Sequence, residues 1–230
     1  MNIMQRGEPF FPIMGLVLIC IVLAGFVPLA FSRPGGPLGM PVLLHGHGLV
    51  FVSWYVLFIV QARMIGAGRV SLHMTLGKLS IVLAVSMIVF AYLVVRGAYG
   101  NPDWNIAGLP RAVSTMFPIS DIVNFTIAYS LALMHRRNAD THKRLMLMTG
   151  ILMIDPAVAR LSISLGAPVQ FILLLELALF LAVIGYDLKT RGRPHWATLF
   201  GLGLFVLAMV AKFIIAQQPW WSDFVEMILG

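Results

Sequence analysis

Long apolar stretches alternate along this chain with short polar joins. Seven of them approach or exceed the roughly 20 residues that a helix needs to cross about 30 Å of hydrocarbon. Proline and glycine mark most of the joins, as is typical of turns between helices. The pattern predicts an all-α integral membrane bundle of seven transmembrane helices within one domain, residues 1–230. The predicted spans are 11–31, 41–63, 74–96, 112–134, 144–165, 168–188 and 196–217.

Composition excludes a water-soluble domain. The chain is 60% hydrophobic and 11% charged, whereas an ordinary soluble domain is about 25% charged. The net charge of +7 would suit a nucleic-acid partner, but the cations lie mainly between the apolar stretches. We therefore expect the lipid bilayer as partner and no nucleic acid. The joins on one side carry most of the lysines and arginines, which predicts a cytoplasmic N-terminus and a C-terminus on the outer side.

Two of the predicted hairpins repeat one theme, a basic loop followed by a histidine that opens the next span. The first is the hairpin of spans two and three, and the second that of spans four and five. They predict a core four-helix unit over residues 41–165, flanked by helix 11–31 and by helices 168–188 and 196–217. The segment 219–230 contains Trp220 and Trp221, and tryptophan favours the headgroup level, so we expect an amphipathic interfacial tail.

His73 and His142 open spans three and five. In a four-helix bundle these spans are diagonal, so the two imidazoles are expected to face one another at the inner end. Such a pair is able to hold a haem iron in a bundle core. The alternative is that both rings lie beside anionic lipid headgroups and bind no metal.

The second span carries His45 and His47, which point about 200° apart on a helix and cannot bind one metal as a helical pair. His47, Trp54 and Gln61 are spaced by seven and share a face. That face is expected to turn into the bundle, because lipid offers Gln61 no hydrogen-bond partner.

Charged side chains within the spans are expected mainly in the outer half, and the inner half is expected to hold no comparable charge. One interpretation is that these charges, with Lys212, pair with one another and tie helices together. The other is a polar pocket open to the outside, supported by broken helices near Pro118 and Pro156. The candidate pocket residues are His45, His47, Trp54, Gln61, Asp121, Asp155, Arg160 and Glu176.

The segment from Ser71 to Gly77 reads Ser-Leu-His-Met-Thr-Leu-Gly and resembles a motif of the ascorbate-linked transmembrane cytochrome b family. The resemblance implies a haem b with His73 and His142 as axial ligands. It also matches His47 to the first ligand of a second haem. The expected partner position in span four holds no histidine.

A broader resemblance, over about residues 40–162, is to a large group of uncharacterised bacterial polytopic membrane proteins. It implies a bacterial origin and no settled activity. Together with the orientation predicted from the lysines and arginines, a bacterial origin predicts a multi-pass protein of the inner membrane with its C-terminus in the periplasm. The matching segments are His45-Gly46-His47-Gly48, Trp54, Gln61, Leu72-His73, Leu76-Gly77, Asp121, His142-Lys143-Arg144-Leu145-Met146 and Pro156-Ala157-Val158-Ala159-Arg160.

Three functions stay open at this point, and whether the protein is an enzyme is undecided. The first is a redox protein with one haem b on His73 and His142. The second is a binding or transport protein with an outward pocket for a small ligand, ion or proton. The third is an intramembrane metal hydrolase with zinc on His47, Asp121 and Asp155. Small residues four apart predict close helix contacts, which also suit a homo-oligomer or a subunit of a larger membrane complex.

Overall fold

Helices account for most of the chain in the computed structural model, which describes residues 8–230. Two short 3₁₀ turns, Pro37–Gly39 and Ile215–Gln217, join helices near the chain's two ends. The helices are α1 (Phe10–Ser32), α2 (Val42–Gly66), α3 (Val70–Tyr99), α4 (Arg111–Met134), α5 (Ala139–Ile151), α6 (Asp155–Leu165), α7 (Gln170–Arg191), α8 (Trp196–Phe213) and α9 (Pro219–Leu229).

Six of these helices are long and apolar enough to cross a membrane: α1, α2, α3, α4, α7 and α8 with its following turn. The pair α5 and α6 makes a seventh crossing if the two helices count as one span, bent by 44°. The all-helical prediction is confirmed, and the predicted ends mostly agree within a few residues. The fifth span differs, because it begins at Ala139 rather than at residue 144 and is broken in the middle.

The break between α5 and α6 has a local cause. Pro156 has no N–H to donate to the carbonyl of Leu152, so the helix cannot continue unchanged through this point. Helix α2 supports the end of α5, where the Tyr55 hydroxyl donates to the Gly150 carbonyl at 3.0 Å. The neighbouring Trp54 donates its indole N–H to the Thr149 hydroxyl at 3.2 Å.

Pro118, the second proline for which a broken helix was expected, lies inside a continuous helix. Helix α4 runs unbroken from Arg111 to Met134 around it. The expectation of a discontinuity there is therefore wrong. A proline inside a membrane helix is tolerated when neighbouring groups satisfy the carbonyl it leaves free.

Helices α2 to α5 form the predicted four-helix unit. Helix α3 packs against α2 and α4, and α5 packs against the same two helices, so α3 and α5 are diagonal. Helix α1 lies across α2 and α6, and α8 closes the bundle against α4 and α5. The shared core joins side chains from most of these helices, including Leu18, Met148, Val158 and Phe180.

We name the two ends of the bundle by their residues. The histidine end holds the α2–α3, α4–α5 and α7–α8 joins, and the tryptophan end holds the α3–α4 join and α9. Helix α9 covers the tryptophan end, where the Trp221 indole N–H donates to the Ala112 carbonyl at 2.8 Å. The Tyr99 hydroxyl donates to Glu226 at 2.7 Å. The tail is amphipathic, as predicted, with Trp221 buried and Trp220 exposed.

The histidine end contains a fully buried ion pair. Arg144 and Asp187 are 1% and 0% exposed, and the guanidinium lies 2.6 Å from the carboxylate. Asp187 also accepts hydrogen bonds from the Thr198 hydroxyl at 2.7 Å and the His195 backbone N–H at 2.9 Å. The expectation that this half of the interior holds no comparable charge is wrong. Since α5 begins at Ala139, Arg144 lies inside the helix rather than at its boundary.

Burial, with Arg144 and Arg191 nearby, lowers the pKa of His195. A neutral ring fits its hydrogen bonding, because Nδ1 accepts from the Ala197 backbone N–H at 3.0 Å. His195 thereby caps α8 and joins it to the Arg144–Asp187 pair.

Replacing Asp187 with asparagine is expected to lower the free energy of unfolding by about 3–5 kcal/mol, because Arg144 then stays buried without its closest counter-charge, which lies 2.6 Å away. The matched control is Asp140→Asn. That side chain is 50% exposed where it meets Lys143, Arg144 and Arg191, so we expect a loss of at most about 1 kcal/mol. Denaturant unfolding in detergent micelles measures both, and equal losses would contradict the assignment.

Candidate functional site

His73 and His142, predicted to face one another, lie close together at the histidine end. His73 comes from the first turn of α3 and His142 from the first turn of α5. Their ring centroids are 6.5 Å apart and the ring planes are perpendicular. The juxtaposition expected from the two hairpins is therefore present in the fold.

The two imidazoles differ in the hydrogen bonding of Nδ1. Nδ1 of His142 lies 2.8 Å from the Ala132 carbonyl, and a carbonyl only accepts, so Nδ1 carries the proton. This leaves Nε2 with a free lone pair, which is the usual arrangement of a metal-binding histidine. Nδ1 of His73 is buried and finds no hydrogen-bond partner within residues 8–230.

A cavity of about 100 Å³ adjoins the histidine pair. Gln61 Oε1 is buried there without a partner among the described residues. A buried polar group left unpaired costs about 1–3 kcal/mol, so a bound group that satisfies Gln61 and His73 would stabilise the protein. The lining residues are Trp54, Leu57, Phe58, Gln61, Ala62, Ile65, His73, Gly77, Ser80, Leu133, His142, Lys143 and Met146.

The ligand set favours a haem over a bare metal ion. Zinc prefers about four ligands, usually at least three of them from the protein. Within residues 8–230, no three His, Cys, Asp or Glu side chains are placed to hold a metal together. A haem iron needs only two axial protein ligands, since the porphyrin supplies the other four nitrogens. His73 and His142 therefore fit the iron.

The volume of the cavity is the opposing observation. Pockets for small-molecule ligands usually measure about 300–1,000 Å³, and the space beside His73 and His142 is about 100 Å³. The ligand pair fits the iron, but a porphyrin would need a wider cavity than the one present.

The residues of the α2 face predicted to turn inward lie in two different places. Trp54 and Gln61 line the cavity beside the histidine pair. His47 lies outside that lining, where its ring stacks on Phe51 at 4.1 Å. His45 is exposed. The predicted pocket therefore does not form as one site, because Trp54 and Gln61 are grouped with His73 and His142.

Lys212 is the centre of a second polar group, nearer the tryptophan end. It is 1% exposed and donates to Asp121 Oδ1 at 3.3 Å. It also donates to Asp155 Oδ2. Glu176, 4% exposed, lies within electrostatic range of all three. The interpretation that the buried charges pair with one another is confirmed for Lys212 with Asp121 and Asp155.

Arg160 does not join this group by any ion pair within the described chain. It donates to the Pro156 carbonyl at 2.7 Å, and its guanidinium lies 4.5 Å from the centre of the Phe26 ring. The carboxylates expected to bind zinc with His47 are held by Lys212 instead. The zinc hypothesis therefore has no geometric support.

Sequence reasoning placed Lys212 in a span but did not identify its partners. The available signal was the lysine itself, because a buried ammonium in a membrane helix requires a carboxylate. Three carboxylates were candidates, and only the fold selects Asp121 and Asp155. Ser80, which also lines the cavity, belongs to no sequence pattern that marks it in advance.

Comparison with known proteins gives no match for this chain, whether against family models, curated proteins or solved structures. The two resemblances stay predictions, and the function has to be argued from the geometry.

Replacing Lys212 with methionine is expected to lower the free energy of unfolding by about 3–5 kcal/mol, because Asp121 and Asp155 lose the cation that holds them. The matched control is Lys189→Met, at an exposed position near the end of α7, where we expect a change within about 0.5 kcal/mol. Thermal unfolding in micelles compares the two. A control variant as unstable as Lys212→Met would contradict the assignment.

Proposed function

We propose that this protein is a transmembrane redox protein that binds one haem b between His73 and His142. The observation that carries the proposal is the meeting of two imidazoles from diagonal helices, 6.5 Å apart. The Ser-Leu-His-Met-Thr-Leu-Gly segment supports it by resemblance. Positive charge concentrated at the joins of the histidine end favours placing that end in the cytoplasm of a bacterial inner membrane.

The residues around the pair have separate tasks. The Ala132 carbonyl fixes the orientation of the His142 ring and holds the proton on Nδ1. Lys143 lines the cavity, and its ammonium is already paired with Glu8 at 2.7 Å and with Asp140 at 2.8 Å. A haem bound here would supply one-electron chemistry, tuned by its axial ligands and by the burial of the site.

Gly77 leaves room on the α3 wall of the cavity. A Cβ at this position would lie 3.6 Å from the Gln61 amide nitrogen, which is an ordinary contact, so alanine is tolerated. A larger side chain would extend into the space that a porphyrin requires.

The absorption spectrum of protein expressed with ample haem is the direct test. We expect a Soret band in the wild type, and its loss in both His73→Ala and His142→Ala. His45→Ala should keep the band, because His45 is exposed and away from the pair. His135→Ala is a second control, since its ring is held by the Leu131 carbonyl at 2.9 Å. A wild-type protein without a Soret band would remove the proposal.

A second test fills the cavity beside the histidine pair and keeps both His73 and His142. Gly77→Leu is expected to lower the affinity for haem by at least about tenfold, a change of about 1.4 kcal/mol. Gly97→Leu is the matched control on the same helix, because a Cβ there meets no atom of residues 8–230 within 4 Å. Haem titration of the apoprotein measures both. Equal affinities would show that haem binds elsewhere.

One observation favours a second candidate function, a binding or transport protein. The carboxylates around Lys212 lie next to the break between α5 and α6, and broken helices are typical of ion and substrate sites in transporters. This function does not require the histidine pair.

A further inference from the structure

The buried group around Lys212 does not balance its charge. Asp121, Asp155 and Glu176 supply three carboxylates, and Lys212 supplies one ammonium. If all were ionised, two negative charges would be in excess. Arg160 lies within electrostatic range of Asp155, and counting it as well still leaves one. An unbalanced charge buried in a membrane bundle is expensive, so the group must take up further positive charge.

Two carboxylates have oxygen atoms ready to receive it. Asp121 is 5% exposed, and its Oδ2 is buried with no hydrogen-bond partner in the described chain. Glu176 is 4% exposed and accepts no hydrogen bond from any described residue. Burying an ionised carboxylate without partners costs far more than burying a protonated one.

The missing charge is a proton rather than a metal ion. The Lys212 ammonium already lies between Asp121 and Asp155, where a metal cation would have to bind. Hard metal ions need several oxygen ligands at once, whereas a proton needs a single oxygen. We infer that Asp121, Asp155, Glu176 and Lys212 form a proton-binding site that carries exchangeable protons on its carboxylates at neutral pH.

The surroundings set the route of exchange. Asp155 is the most accessible member, with 16% of its side chain exposed against 2% for Lys212. Asp155 is therefore the member of the group at which proton exchange is expected to begin. The other titratable neighbours are Tyr55 of α2, which lies within electrostatic range of Asp121, and Arg160, which lies within electrostatic range of both Asp155 and Arg33. The inference does not depend on haem.

Counting protonated carboxyl groups tests the inference directly. Infrared absorption of the carboxyl carbonyl, measured at about pH 7 on protein in lipid vesicles, separates these groups from exposed carboxylates, which are ionised at that pH. Charge balance predicts two protonated groups per wild-type chain, or one if Arg160 contributes. Asp155→Asn should remove one proton. Lys212→Met should add one, because the group loses a positive charge.

The double variant Lys212→Met/Asp155→Asn should return to the wild-type count, since the two changes cancel. Glu176→Gln should remove one proton, and it deletes no hydrogen bond from a described residue, so it tests the count if another variant fails to fold. Asp103→Asn and Asp223→Asn are the controls, because both side chains are exposed and the count should not change.

Three results would overturn the inference. One is a wild-type protein without a protonated carboxyl group at about pH 7. Another is a count that stays the same or falls in Lys212→Met. The last is loss of the carbonyl band when sodium ions are added at constant pH, which would identify a sodium site instead of a proton site.

Discussion

Pro156 is the constraint on which the rest of the structure depends. Hydrocarbon offers no partner to a free backbone group, so the interruption at this proline requires nearby protein to satisfy the backbone. Tyr55 does so at the end of α5, where its hydroxyl donates to the Gly150 carbonyl, and Trp54 donates to the side-chain hydroxyl of the neighbouring Thr149. Helix α5 thereby ends at Ile151, and α6 starts anew at Asp155 with its carboxylate on Lys212. The break therefore positions one carboxylate of the group around Lys212.

Burial of charge is handled differently at the two ends. At the histidine end, Arg144 and Asp187 are matched one to one, and the hydroxyl of Thr198 and the backbone of His195 use the remaining lone pairs. Such a complete pair is a structural element, because it leaves nothing for a ligand to satisfy. Around Lys212 the carboxylates outnumber the cation, and Asp121 Oδ2 has no partner in the described chain. Buried carboxylates whose charge and hydrogen bonding are not fully matched indicate a binding site, whereas a fully matched ion pair only connects helices.

The sequence predicted the coarse architecture well, because membrane spans depend on long apolar stretches and little else. It also predicted that His73 and His142 would meet, since two similar hairpins place their outgoing helices on a diagonal. It could not predict which carboxylate binds Lys212, because several lie at similar depth and only the helix rotations decide. It misplaced Arg144 for a related reason. The first residues of α5 are polar and mark no start of an apolar stretch. The helix was therefore expected to begin at residue 144, five residues after its actual start at Ala139.

Two adjacent residues of α2 connect the candidate sites. Trp54 lines the cavity beside the histidine pair and donates a hydrogen bond to the Thr149 hydroxyl. Tyr55 donates a hydrogen bond to the Gly150 carbonyl and lies within electrostatic range of Asp121. On a helix, neighbouring side chains point about 100° apart, so Trp54 and Tyr55 contact two different sites from the same turn of α2. Any movement of the α5 end relative to α2 therefore changes the walls of both sites together. A haem bound as proposed would require the cavity to widen, and a displacement of the α5 end would then also change the surroundings of the carboxylates around Lys212.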